Sequence, residues 1–207
     1  MSMTKSKFLP RSQTIEVDFL YLDLTTCSRC RASDATLDAA VEIVQSVLDS
    51  VGASIEIRKM LVETEEQART LGFVSSPTIR VNGRDVAGEL IESSCSECGE
   101  LCGCDGGVDC RVWDYRGEQH TEAPTGLIVE AILAEVGPSR TTRSEKTPEA
   151  TPFVDVPENL KRFFAGIDAV RDASSCRSAE EQATCCDPAE KAGCCGGATD
   201  LSSCGCR

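Results

Sequence analysis

The sequence has few aromatic residues, an excess of negative charge and no long apolar run. Aromatic residues make up 4% of the chain, so a hydrophobic core has to be largely aliphatic. The formal net charge is -13, which argues against nucleic-acid binding because phosphate contacts need clustered lysines and arginines. A membrane-spanning helix needs about 18 or more consecutive apolar residues, and the sequence has no such run. We therefore expect neither nucleic acid nor a membrane as a partner.

Two further absences narrow the chemistry. The first residues lack the apolar stretch of a secretory signal, so we expect a cytoplasmic protein. His120 is the only histidine, which excludes a histidine-rich zinc site. We predict no organic cofactor.

Cysteine, by contrast, is abundant, with 14 residues. Thiols of cytosolic proteins are kept reduced, so many cysteines in that compartment indicate metal ligation or redox catalysis more than a disulfide framework. Their placement is uneven: two lie at 27 and 30, five between 95 and 110, and seven between 176 and 206. The protein is therefore expected to perform thiol chemistry.

The first part of the chain reads as one compact α/β domain over residues 1–137. Residues 14–24 are nearly continuously apolar, as in a central strand. Apolar residues then recur with helical spacing as far as Gly52, and a strand, a short capped helix and a hairpin at Asn82-Gly83 follow. Residues 95–110 are rich in glycine and lack periodicity, which predicts a cysteine-rich loop insertion.

The second part of the chain is made differently. Residues 138–154 are rich in Pro, Thr and Ser and are predicted to be a linker. Residues 155–171 form an amphipathic pattern that predicts a helix docked on the domain. Residues 172–207 hold almost no large apolar side chain, which predicts a disordered, cysteine-rich tail.

The Cys27-Ser28-Arg29-Cys30 motif lies where the first strand gives way to the first helix. Free N–H groups and the helix dipole stabilise an anion there, and Arg29 and Arg31 add positive charge. Cys27 is therefore predicted to be the more exposed, nucleophilic thiol. Cys30 would resolve a mixed disulfide, or both thiols could bind one thiophilic ion.

The succession of a strand, CxxC, a helix, a strand and a helix before SSPTIRVNG resembles the thioredoxin superfamily. In that family a cis-proline loop packs beside the CxxC and receives the substrate backbone, so the resemblance implies a cis bond before Pro77 and a place for Pro77 in the catalytic site. This CxxC lacks the preceding Trp and the inner Gly-Pro of thioredoxin itself.

Residues 14–137 more closely resemble a poorly characterised thioredoxin-like family met alongside bacterial arsenic and mercury resistance. The blocks that carry this likeness are LDLTTCSRC, GFVSSPTIRVNGRD, ESSCSEC and CRVWDYRGE. The resemblance implies a thioredoxin-like fold and a setting in metal(loid) resistance.

The insertion supplies five candidate metal ligands, Cys95, Cys98, Cys102, Cys104 and Cys110. Four thiolates suit tetrahedral zinc or an iron–sulfur cluster. A zinc ribbon usually has two CxxC pairs, and within the insertion only Cys95 and Cys98 form one. A redox relay to the first CxxC and inert loop thiols are the alternatives.

The tail supplies seven more candidate ligands at a nine-residue rhythm that includes two vicinal pairs: Cys176, Cys185, Cys186, Cys194, Cys195, Cys204 and Cys206. Thiolates are preferred ligands of soft ions. The tail also resembles the cysteine-rich ends of some arsenic-resistance proteins. The sequence therefore favours a protein that binds soft metal(loid) ions such as As(III) or Hg(II), or zinc. The alternative is a thiol–disulfide oxidoreductase with a thiol redox partner protein.

Overall fold

The structure, a computed structural model, describes residues 13–105, 107–136 and 155–174. These residues form seven strands and five helices. In chain order the elements are β1 (Gln13–Tyr21), α1 (Ser28–Val51), β2 (Ala53–Leu61), α2 (Glu65–Leu71), β3 (Thr78–Val81), β4 (Arg84–Asp85), β5 (Ile91–Cys95), α3 (Ser96–Cys102), β6 (Val108–Tyr115), β7 (Glu118–His120), α4 (Thr125–Ala134) and α5 (Glu158–Ser174).

The first sheet has the strand order β2-β1-β3-β4. β1 pairs in parallel with β2 and antiparallel with β3, and it is the inner strand predicted from its continuous apolar sequence. The β3–β4 hairpin turns at Asn82 and Gly83, whose φ values of 48° and 76° are positive, as the sequence predicted for a tight turn.

α1 and α4 cover one face of this sheet. The predicted stripe of α1 is buried, with Leu37, Ala40, Val44 and Leu48 packed in one cluster with the inner face of β1 and with Ile128 and Ile132 of α4. Gly52 ends α1 in the left-handed conformation, φ 71°, where its N–H bonds the last free carbonyls. The core is mostly aliphatic, as the low aromatic content predicts, although Phe19 and Trp113 are also buried in it.

The insertion is not the irregular loop that the sequence predicted. Residues 96–102 form α3. β5, β6 and β7 form a second antiparallel sheet, and α3 is part of the connection from β5 to β6. The prediction was wrong because α3 is only seven residues long and glycine interrupts it, so that no apolar period develops. The helix is stabilised by burying Cys98, Gly99 and Cys102.

α5 docks on the insertion. Its stripe of Leu160, Phe163 and Phe164 is buried in the same cluster as the cysteines of the insertion and of the CxxC motif. Val170, which the sequence pattern placed on the same stripe, remains 46% exposed. α5 therefore covers the region where the cysteines lie.

The α/β class predicted from the sequence is confirmed. The likeness to thioredoxin and the predicted boundaries of the linker and tail stay predictions. Within the three described ranges, none of the helices combines the length and the apolar character that a membrane crossing requires.

Candidate metal centre

Cys27 is placed by the junction between β1 and α1. It is the N-cap of α1, and its Sγ accepts from the N–H of Cys30 at 3.5 Å. Asp23 turns the preceding loop by accepting from the N–H groups of Thr26 and Cys27, the latter at 3.0 Å. The thiol is thus fixed at the start of a 24-residue helix.

Three other cysteines are brought to Cys27 by the insertion. Cys95 ends β5 and is the N-cap of α3, Cys98 lies in the first turn of α3, and Cys110 lies in β6. β6 runs antiparallel to β5, with Cys110 opposite Ser93, so the strand ladder itself holds Cys110 close to Cys95.

These four residues, called here the four-cysteine cluster, have Sγ atoms that all lie within 4.8 Å of one another. The Sγ atoms of Cys98 and Cys110 are 3.4 Å apart. Three of the four residues are fully buried, and Cys95 is 3% exposed. The cluster is a group of four thiols that could hold a metal ion.

The four thiols compete for protons in this buried space. Hydrogen bonds, first from Cys110 and then from Cys30, lower the pKa of Cys27. A hydrogen bond from Cys110 also lowers the pKa of Cys95 to about 7, whereas the hydrogen bond that Cys110 makes to Cys27 raises its own pKa. The cluster thus favours thiolate at Cys27, with neighbouring thiols as donors.

Cys30 lies beside the cluster and is not a member of it. Its Sγ is 3.3 Å from Ser76 Oγ, and the hydrogen bond with Cys27, together with burial, raises its pKa. The Ser76–Pro77 bond is cis, as the resemblance implied for Pro77. The two thiols of the CxxC motif thus have different surroundings.

The remaining predicted ligands are elsewhere. Cys102 and Cys104 form a disulfide at the end of α3, and the structure does not bring them into the cluster. The seven tail cysteines lie outside the described residues. The catalytic roles predicted for Cys27, Cys30 and Pro77 stay predictions.

One sequence expectation about the CxxC motif was wrong. Cys27, predicted as the more exposed thiol, is fully buried because the insertion and α5 cover the start of α1. Sequence reasoning also treated the CxxC motif and the insertion as separate sites. The available signal was the similarity of CSRC and CSEC, although a zinc-ribbon pairing of the two motifs would have included Cys30 and left out Cys110.

The sequence analysis assigned no role to Glu97. It counted Arg29 only as a positive charge near Cys27. In the structure both side chains bridge the two CxxC segments: Arg29 donates to backbone carbonyls of the insertion, and Glu97 accepts from Ser28. Such contacts depend on the tertiary arrangement and leave no periodic signal.

A family model described as "Domain of unknown function (DUF2703)" matches residues 15–132, a range that includes all four residues of the cluster. No curated protein and no solved structure matches the chain.

Proposed function

Because the chain belongs to the DUF2703 family, a domain family of unknown function, we propose a function from the site itself: the protein binds one thiophilic metal ion through Cys27, Cys95, Cys98 and Cys110. The observation that carries this proposal is that four buried thiols from three separate segments have their Sγ atoms within 4.8 Å of one another. Buried cysteines need no such convergence for packing alone.

The dimensions of the cluster suit a single tetrahedral ion. In a tetrahedral site, a Zn–S bond of about 2.3 Å places the sulfur atoms about 3.8 Å apart. The Sγ atoms of the cluster lie at most 4.8 Å apart, so the side chains would have to move only slightly closer to hold the ion. An iron–sulfur cluster would place sulfides and further irons between the ligands, which requires more room. The protein supplies all four ligands, as in closed structural zinc sites. We therefore name Zn(II) as the best match.

A second candidate is the thiol–disulfide oxidoreductase. One observation favours it: Cys27 lies at the start of α1, where the N–H of Cys30 donates to its Sγ. Against it stands burial, since exchange requires a substrate sulfur to reach the attacking thiolate, and Cys27 is fully buried. Metal binding is compatible with the burial of Cys27, whereas thiol–disulfide exchange would require the structure around Cys27 to open.

The test uses the full-length chain with the seven tail cysteines replaced by serine, so that binding reports on the cluster. We expect one equivalent of zinc by elemental analysis after anaerobic purification. Differential alkylation with mass spectrometry, with and without a chelator, should find that removal of the ion increases labelling of the four cluster thiols more than labelling of the equally buried Cys30. Purified protein that has free thiols and no bound metal would contradict the proposal. Protection by the ion that is greatest at Cys30 would contradict it as well.

Single serine substitutions provide the matched comparison. Cys110→Ser should lose the ion, because it removes a cluster ligand. Cys30→Ser should retain the ion, because this equally buried thiol lies outside the cluster. Equal loss in both variants would mean that Cys30 is needed for binding as much as Cys110, which would contradict the four-cysteine site.

The setting in metal(loid) resistance rests on the sequence resemblance. We propose that the tail adds capacity for soft ions such as arsenite or Hg(II) in the cytoplasm, since thiolates are their preferred ligands. The unsubstituted chain should then bind several more equivalents of these ions than the chain with a serine tail. Equal stoichiometry would remove the tail from the proposal and leave the cluster unaffected.

A further inference from the structure

We propose that Arg29 and Glu97, inner residues of the two CxxC motifs, are positioning residues that hold Cys27 in register with the other three ligands of the four-cysteine cluster. This inference rests on the proposed metal binding. Its starting point is the origin of the ligands: Cys27 comes from the β1–α1 junction, whereas Cys95, Cys98 and Cys110 come from the insertion. A contact that spans this division controls whether the four thiols meet.

Arg29 spans it from one side. Its Nη1 donates to Ser93 Oγ at 2.9 Å, to the Ser93 carbonyl at 3.2 Å and to the Cys110 carbonyl at 3.4 Å. Its Nη2 donates to the Ser94 carbonyl at 2.8 Å. The side chain that lies two residues after Cys27 thus binds the residue before Cys95 and the backbone of Cys110. The rigid, planar guanidinium fixes both strands at once.

Glu97 spans it from the other side. It lies between Cys95 and Cys98, and its Oε2 accepts from the Ser28 N–H at 2.5 Å and from Ser28 Oγ at 2.8 Å. The carboxylate therefore satisfies a free N–H in the first turn of α1, next to Cys27, where negative charge is favourable. Arg29 of the first motif thus holds β5 and β6 next to the second motif, and Glu97 of the second motif holds the first residue of α1.

The chemistry of metal sites gives these contacts a function. Residues that orient metal ligands typically change metal affinity 10- to 100-fold when they are replaced, because the ligands must otherwise be ordered at the moment of binding. Arg29 also brings a positive charge close to a site where up to four thiolates would gather. A lysine at this position would keep the charge and lose the fork, which separates the two effects.

The experiment compares Zn(II) affinity and Co(II) spectra in the full-length chain with the serine tail. Arg29→Ala is paired with the control Arg31→Ala, because Arg31 donates only to the Thr25 carbonyl among the contacts seen and does not reach the insertion. Glu97→Gln is paired with Glu100→Gln, one turn further along α3. We expect a 10- to 100-fold larger dissociation constant for Arg29→Ala and a smaller increase for Glu97→Gln. The controls should stay within about twofold.

Further readouts separate positioning from general stability. Arg29→Lys should remain impaired, and the thiolate-to-Co(II) bands of the impaired variants should shift because the ligand geometry changes. The combined Arg29 and Glu97 variant should lose less than the product of the single losses, since both act on one spacing. Wild-type affinity and spectra in Arg29→Ala and Glu97→Gln, or full rescue by Arg29→Lys, would overturn the inference. Failure of the parent chain to bind any ion would instead overturn the proposed function.

Discussion

Replacing Gly99 with alanine should separate Cys98 from Cys110 and weaken metal binding. Gly99 follows Cys98 in α3, where the helix passes directly over the start of β6. A Cβ at this position would lie 2.9 Å from Gly107 Cα, about 0.6 Å inside the lower end of normal carbon contacts. The neighbouring atom is backbone, so rotating a side chain cannot relieve the overlap.

Two opposing effects set the change in unfolding free energy. Alanine within a helix gains about 1 kcal/mol over glycine, whereas overpacking costs about 1 to 3 kcal/mol. The metal-free protein should therefore be destabilised by about 0 to 2 kcal/mol, a small change. Metal binding should also weaken, because a relaxation of several tenths of an ångström exceeds the ~0.2 Å tolerance of metal–ligand distances. We expect affinity to fall at least about tenfold, or about 1.4 kcal/mol.

The assay is competition with a chromogenic zinc chelator, together with thermal unfolding of the metal-free protein. Gly88→Ala is the matched control, since nothing lies within 4 Å of a Cβ there. Unchanged zinc affinity in Gly99→Ala would refute the reasoning, because it would mean that the spacing of α3 and β6 does not control the cluster.

Three further predictions follow from other contacts. Ser33→Ala should destabilise the protein by about 1 to 3 kcal/mol in chemical denaturation, because the buried N–H of Ala123 loses its acceptor; the exposed Ser46→Ala on the same helix should be nearly neutral. Gly166→Ala should lower the thermal midpoint, since its Cβ would meet a backbone oxygen of α3 at 2.5 Å, and an unchanged midpoint would mean that α5 does not pack there. Under mild peroxide, Cys30→Ser should retain zinc longer than the parent chain if a Cys27–Cys30 disulfide is the route of loss; equal rates would exclude that route.

Regular elements could be predicted from the sequence because their patterns are local. The apolar run of β1, the stripe of α1 and the Asn82-Gly83 turn each specify one conformation within a few residues. α3 could not be predicted this way. Its seven residues are held by contacts with β6 and with α5, which is distant in sequence, and short helices depend on such packing.

The candidate site shows the same division between local and long-range information. The residue types and the CxxC spacing were enough to predict thiol chemistry. They could not select Cys27 over Cys30 as the partner of the insertion, because that choice depends on how the second sheet packs against the start of α1. The matched CSRC and CSEC motifs were a signal that the two segments meet, but they do not distinguish Cys27 from Cys30.

The division of ligands between Cys27 and the insertion has a consequence for assembly. Three ligands lie within residues 95–110, so an unfolded chain could capture an ion locally before the rest of the domain forms. Joining Cys27 then closes a loop of about 70 residues, and a cross-link of that length removes about 4 kcal/mol of chain entropy from the unfolded state. The ion would thus act as a cross-link that forms late in folding, when Cys27 at the start of α1 joins an insertion that already holds the metal.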